Sequence, residues 1–215
     1  MVCSAICLPR HPRFGPSRFS MVRISFTVHK EAFGYKWPNY DPAALSKAVC
    51  ACHGWDCVGM RFYTGVPDAS DKPFWNHFWV AKCAQMGREG VVPFTRPLVY
   101  RNKEVKLPDG SVHTFLDGDE KGIDLRIAID VIRLAHTNVY DVALIFCRDQ
   151  DFSEVADEVK LISKSTNRWI KVASAYPFSP AVRNYRGINN TQWVPISRTL
   201  YDTCLDKRDY RPKKP

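Results

Sequence analysis

The sequence predicts an α/β fold, helices sandwiching a mainly parallel sheet. Three observations support this. Strand-like and helix-like segments alternate from residue 22 onward, the order that parallel strands with crossover helices produce. DVALIFC (141–147) is almost wholly apolar, as a strand covered on both faces must be. Phe152, Val155, Val159 and Ile162 then recur at helical spacing, so a helix follows that strand directly.

The elements follow in order. VRISFTV (22–28) alternates and is β-rich, and it reads as the first strand. Asp41 and Pro42 open a helix that runs to about His53, with Gly54 as its stop. An acidic N-cap, proline at the first helical position and glycine beyond the end are the usual boundary signals. VGMRFYT (58–64) is a second strand, and KPFWNHFWVAKCAQMGR (72–88) an aromatic-rich amphipathic helix. VVPFTRPLVY (91–100) carries two prolines, which places that strand near an edge or bends it. Pro108-Asp109-Gly110 marks the turn of a hairpin within KEVKLPDGSVHTFL. A helix spans about Asp124 to Thr137, with Ile127, Val131, Leu134 and Ala135 on one face. RWIKVASAY (168–176) is another buried strand. A looser basic segment, RNYRGINNTQW, leads to a short strand and a last helix near 198–205.

Residues 1–20 contain no acid, three arginines and three prolines, the composition of an unstructured basic extension. They lack the long apolar core and small-residue cleavage site of a secretory signal, and Met21 is an internal candidate start. Residues 21–205 read as one domain without internal repeats, and 206–215 as a basic tail.

Composition narrows the function. The 215 residues are 45% hydrophobic and 25% charged, ordinary globular values. No apolar window approaches the ~20 residues of a membrane helix, so no membrane partner is expected and the location expected is cytoplasmic. A formal charge of +9 suits a partner with a phosphate backbone, although a basic surface also serves solubility. The eight cysteines are scattered, without paired CxxC knuckles. They read as reduced thiols, not as a zinc site or a disulfide framework. Neither GxxxxGK[ST] nor GxGxxG occurs, which removes the common nucleotide-cradling loops.

The chemistry concentrates at the end of the apolar strand. Ligands of parallel α/β sheets collect at the carboxyl ends of strands, and Asp149 and Asp151 lie there. Asp124 opens the preceding helix and can reach the same edge. Two unit charges ~4 Å apart repel by roughly 4 kcal/mol at an effective dielectric of 20. A bound Mg²⁺ or Mn²⁺ turns that cost into affinity, because hard ions prefer carboxylate and water oxygens, and such ions activate water against a phosphodiester. A plainer account competes: Asp151 with Glu154 forms a D-x-x-E pattern that would cap the helix from 152. Asp130, six residues after Asp124, is expected to face elsewhere, solvated or paired. Cys147 is expected to be inert packing, since no histidine is placed to activate it.

EKGIDLRIAIDVIRLAHTNVYDVALIFCRDQDFSEVADEV resembles the signature of the NYN (LabA-like) family, a branch of the PIN-like nucleases. The likeness extends through KWPNYDPAALSKAVC, RFYTGVPD, RWIKVASAYPFSP, RGINNTQW and YDTCLDKRDYRP, covering about residues 30 to 212. Its specific motifs are Lys121-Gly122-x-Asp124 and the acidic pair Asp149 and Asp151. The resemblance implies a Rossmann-like three-layer PIN fold and metal-dependent cleavage of RNA. Asp124, Asp149 and Asp151 would then be catalytic acids and ligands of Mg²⁺ or Mn²⁺, and Lys121 would offset phosphate charge. Arg183 and Arg186, with Tyr185 between them, are candidate RNA contacts, a solvated loop being the plainer account. RNA is the expected partner, and a homodimer is left open. One departure stands out: the family's first strand ends in Asp, followed three residues later by Asn, yet no Asp or Asn precedes Asn39 here. Either that strand has been replaced through a frameshift or a wrong start, or the metal site is depleted. In the second case a catalytically inactive RNA-binding or assembly module is the expectation.

Overall fold

A computed structural model describes residues 4–7, 32–57, 59–180 and 186–212. Its centre is a six-stranded sheet in the order β3-β2-β1-β6-β7-β8. The strands are β1 (Ser4–Cys7), β2 (Met60–Val66), β3 (Val91–Pro97), β6 (Val142–Ile145), β7 (Lys171–Pro177) and β8 (Gln192–Ile196). β2 pairs parallel with β3, and β6, β7 and β8 are parallel in succession. β1 is antiparallel to both β2 and β6, so those two neighbours point the same way. Five strands therefore place their carboxyl ends on one edge, and the mainly parallel sheet expected from sequence is present.

The position of β1 differs from expectation. Ser4–Cys7 lies inside the arm that composition marked as unstructured, and VRISFTV (22–28) lies outside the described residues. A slot between two central strands offers backbone partners on both sides, and buried N–H and C=O groups must be paired. That demand selects a short apolar stretch irrespective of the arginines and prolines around it.

Among the described residues the principal helices are α1 (Pro42–Cys52), α2 (Pro73–Arg88), α3 (Ile123–His136), α4 (Phe152–Ser165) and α5 (Arg198–Asp202). α1 begins as its sequence predicts. The Asp41 carboxylate accepts from the amides of Ala43 and Ala44 at 2.8 and 3.0 Å, filling donors that a first turn leaves open. Gly54 follows the helix with φ +64°, a conformation that favours glycine. The proline-bearing strand splits into β3 and β4 (Val99–Lys106). β3 is the terminal strand of the sheet, where Pro93 and Pro97 cost no ladder bond to a further strand. β4 pairs antiparallel with β5 (Val112–Asp119) as a separate two-stranded arm. Its turn is closed by the Leu107 carbonyl accepting from Gly110, at φ +84°. α5 is shorter than the expected 198–205, starting where the Ser197 hydroxyl accepts from the Leu200 amide at 3.2 Å.

Two apolar cores flank the sheet. Leu45 and Val49 of α1 and Trp79 and Met86 of α2 cluster with Phe62, Leu144 and Ala173. Ile127 and Val131 of α3 and Val155 and Val159 of α4 cluster with Tyr63, Ala143 and Ile145. Alternate residues of the same strands thus serve opposite clusters, as the two-residue strand period requires. Residues 206–212, expected as a tail, are tied to this body: buried Lys82 pairs with buried Asp206 at 3.0 Å. Among the described residues no helix is long and apolar enough to cross a membrane.

Candidate active site at the carboxyl edge

The loop after β6 is built around Asp149. Phe146 and Cys147 continue the strand's burial, and the Ser174 hydroxyl of β7 donates to the Cys147 carbonyl at 2.6 Å. The chain then turns outward. The Asp149 amide donates to the Cys147 sulfur at 3.3 Å, and the Asp149 carboxylate accepts from the Asp151 amide at 3.1 Å. An aspartate that binds the backbone two residues ahead forms a local turn of its own. The expected D-x-x-E cap is therefore not what starts α4. Asp151 occupies the N-cap position in a helical conformation without a side-chain cap bond, and the turn chemistry falls to Asp149 instead. Both acids are exposed, and neither forms an ion pair among the described residues. Cys147 is buried, consistent with packing.

Gln150, between the acids, stitches this loop to the one after β7. Its amide nitrogen donates to the carbonyls of Arg148 and Gly187 at 2.9 and 3.0 Å, and its oxygen accepts from the Asn189 amide at 3.1 Å. The Arg148 guanidinium adds a bond to the Arg186 carbonyl at 3.3 Å. RDQD and RGINN are thus one polar platform. Gly187 is needed for the close approach, since a Cβ there would lie 2.8 Å from the Ser174 hydroxyl. Arg186 is exposed on this platform, while Arg183 lies outside the described residues.

A second stretch arrives at the same edge from the β4–β5 arm. Glu120 is half-buried, and its carboxylate accepts from the Gly65 amide, near the end of β2, at 2.6 Å. A Cβ on Gly65 would sit 2.5 Å from the Glu120 side chain, so only glycine admits this contact. Lys121 is exposed, and its carbonyl accepts from Arg96 at 3.5 Å. Gly122 takes φ +70° at the start of α3. Asp124 is exposed in the first helical turn, where the helix's partial positive charge favours an anion. Among the described residues no three His, Cys, Asp or Glu side chains gather as a metal-ligand group. Asp149 and Asp151 share one loop, and among the described residues they form no three-ligand group with Asp124.

Asp130 is handled differently. It is 1% exposed, accepts from the Tyr63 hydroxyl at 2.8 Å, and pairs with Arg61, Arg126 and Arg133, each at 3.0 Å. Burial and the nearby Asp130 push the Tyr63 phenol well above its ordinary range. Of the two expectations for Asp130, solvated or paired, the second holds. Sequence reasoning missed Glu120 and Gln150. Both lie within acid-rich runs already singled out, but neither showed periodicity or ligand spacing.

Residues 87–184 match the family model of the NYN domain, which supports the NYN family of PIN-like nucleases. The match includes Lys121, Asp124, Asp149, Asp151 and Arg183, and it ends before Arg186. No curated protein and no solved structure matches the chain.

Proposed function

We propose that the chain acts on RNA as an NYN-type, LabA-like ribonuclease domain. Asp124, Asp149 and Asp151 would be its acids at the carboxyl edge, with Lys121, Arg183 and Arg186 as phosphate contacts. The observation that carries this reading is the NYN match over residues 87–184, which contains all three acids. The two cores flanking the sheet and the net charge of +9 support a Rossmann-like three-layer sandwich with an anionic polymer as partner.

Carboxylate oxygens suit Mg²⁺ or Mn²⁺, so the donor chemistry is of the right kind. The donor set as placed is not: the described residues offer no three-ligand group. The residues therefore do not fit a complete metal site in this arrangement. What they do is more limited. Asp149 shapes the loop, Asp151 stands exposed beside it, and Lys121 adds an exposed cation to the same edge.

A second reading, an RNA-binding module of the same fold without cleavage, is favoured by the direction of β1. Being antiparallel to β6, it turns its amino end towards the acids. The strand-ending Asp that the family resemblance implies has no counterpart there.

One experiment separates the readings. Under the ribonuclease reading, incubation of purified protein with RNA and Mn²⁺ gives cleavage that EDTA stops and Asp149→Asn abolishes. Cleavage that survives EDTA removes the metal ion from the mechanism, and cleavage that survives Asp149→Asn removes that carboxylate. Salt-dependent RNA retention without cleavage establishes the binding module instead.

A further inference from the structure

A cavity of about 540 Å³ lies between the segment before α1, the first turns of α2 and the C-terminal segment 206–211. This is in the range of roughly 300–1,000 Å³ typical of ligand sites. Its walls are aromatic. Trp37 is 57% exposed and Phe74 is 42% exposed, so both rings present open faces at its rim. Phe74 meets Trp75 edge-on at 5.3 Å, and Trp75 meets buried Phe78 edge-on at 5.5 Å, so a chain of ring contacts runs from the rim to the core.

The charges around the cavity are sorted. Asp206, in the floor, is neutralised by Lys82 at 3.0 Å and Arg208 at 2.7 Å, and exposed Asp209 pairs with Arg211 at 2.6 Å. Lys36 and Lys207 add two exposed ammonium groups to the lining. Arg208 fixes the C-terminal segment against the body through Asp41, at 2.6 Å, and through Glu89. The cavity is thus a preorganised aromatic site with a cationic rim. Its α2 wall is anchored to the edge that carries the acids: Asn76 donates to the carbonyl of Pro67, the residue following β2, at 2.7 Å.

Planar rings with ammonium groups beside them match one chemical class best, an unpaired nucleobase with its attached phosphate. A duplex hides its base faces in the stack, whereas a single strand can offer them. We propose that this cavity is a stacking site for single-stranded RNA, with Trp37 and Phe74 taking a base and Lys36 and Lys207 the adjoining phosphates. The proposal rests on RNA being the partner, and it assigns a second contact away from the Asp149 loop.

The test is fluorescence anisotropy with a labelled single-stranded oligouridylate in EDTA, so that cleavage plays no part. Trp37→Ala and Phe74→Ala should each weaken affinity by at least about fivefold, and Trp37→Phe should restore most of it. Affinity for a duplex RNA probe should be unchanged. The variant Lys36→Glu with Lys207→Glu should lower affinity and flatten its salt dependence. Because these four side chains are exposed, unchanged thermal unfolding is expected, and the lysine variant gives an independent reading should an aromatic variant misfold. The proposal is overturned if single-strand affinity stays within about twofold of wild type in both alanine variants, or if the wild type does not bind the strand. Weakened binding in a protein that never cleaves keeps this site and removes the hydrolase. Metal-dependent cleavage with unchanged affinity in the aromatic variants does the reverse.

Discussion

Two groups of aspartates in this molecule are treated in opposite ways. Asp130 is buried against β2 and surrounded by three guanidinium groups and a phenol. Asp149 and Asp151 stand exposed one residue apart, held by a backbone amide and paired with no cation among the described residues. A carboxylate taken out of water must be compensated in place or it unfolds its surroundings. A carboxylate left in water can remain uncompensated, at the cost of mild repulsion, and so remains available to a ligand. The contrast separates acids that hold the fold from acids that can serve chemistry, and it can be tested from both ends.

The largest effect is expected at Asp130. Asp130→Ala removes the acceptor of the buried Tyr63 hydroxyl and the shared counter-charge of Arg61, Arg126 and Arg133, and should destabilise the protein by about 3–5 kcal/mol. Urea unfolding measures this directly. A loss under about 1 kcal/mol would mean that the arginines simply rehydrate, and the contrast with the exposed acids would collapse.

Asp206 belongs with Asp130 as a compensated acid and gives a smaller, pH-dependent effect. Burial raises its pKa, but Lys82, Arg208 and Tyr210 outweigh that, and its carboxyl sits below the ordinary value of 3.8. The unfolded chain therefore binds more protons than the native one between the two values. Stability from Asp206 is complete above the unfolded value and is lost as pH falls through the depressed one. Urea midpoints followed from about pH 6 down to pH 2 should fall less steeply in Asp206→Asn, whatever offset the unpaired Lys82 adds at every pH. An identical acid limb in the variant would place the titration elsewhere.

Much of this was legible in the sequence, and the exceptions have physical causes. The α1 boundaries, the apolar β6 and the edge position of β3 followed from Asp41-Pro42, VALI, and Pro93 with Pro97, because each is decided by local backbone chemistry. Asp130 was not placed, although its neighbours carry the signal. It shares the buried face of α3 with Ile123, Ile127 and Val131, and Arg126 and Arg133 stand four before and three after it. β1 was not legible at all, because four residues in a basic arm carry no periodicity and their strand state comes from pairing with β2 and β6. At the candidate site, sequence singled out Asp124, Asp149 and Asp151 as candidates but could not show that one Asp149 oxygen is engaged by the loop. Nor could it show that Glu120 is committed to the Gly65 amide.

The smallest stability effect is expected where the functional effect is greatest. Asp149→Asn keeps a carbonyl oxygen that can still accept from the Asp151 amide, and Asp151 makes no side-chain cap. Each substitution should change stability by less than about 0.5 kcal/mol. The double Asn variant should be neutral or slightly stabilised, since it removes two adjacent like charges. A loss above about 2 kcal/mol in the double variant would make these acids structural, the same class as Asp130. Thermal unfolding with and without Mn²⁺ extends the comparison, because an ion that binds only the folded chain raises its melting point by mass action. A rise in the wild type that EDTA reverses and the double variant lacks would show that the exposed acids gather an ion on demand. Equal melting curves for both proteins, with and without the ion, would leave Asp149 and Asp151 as turn chemistry at the rim of an RNA-binding fold.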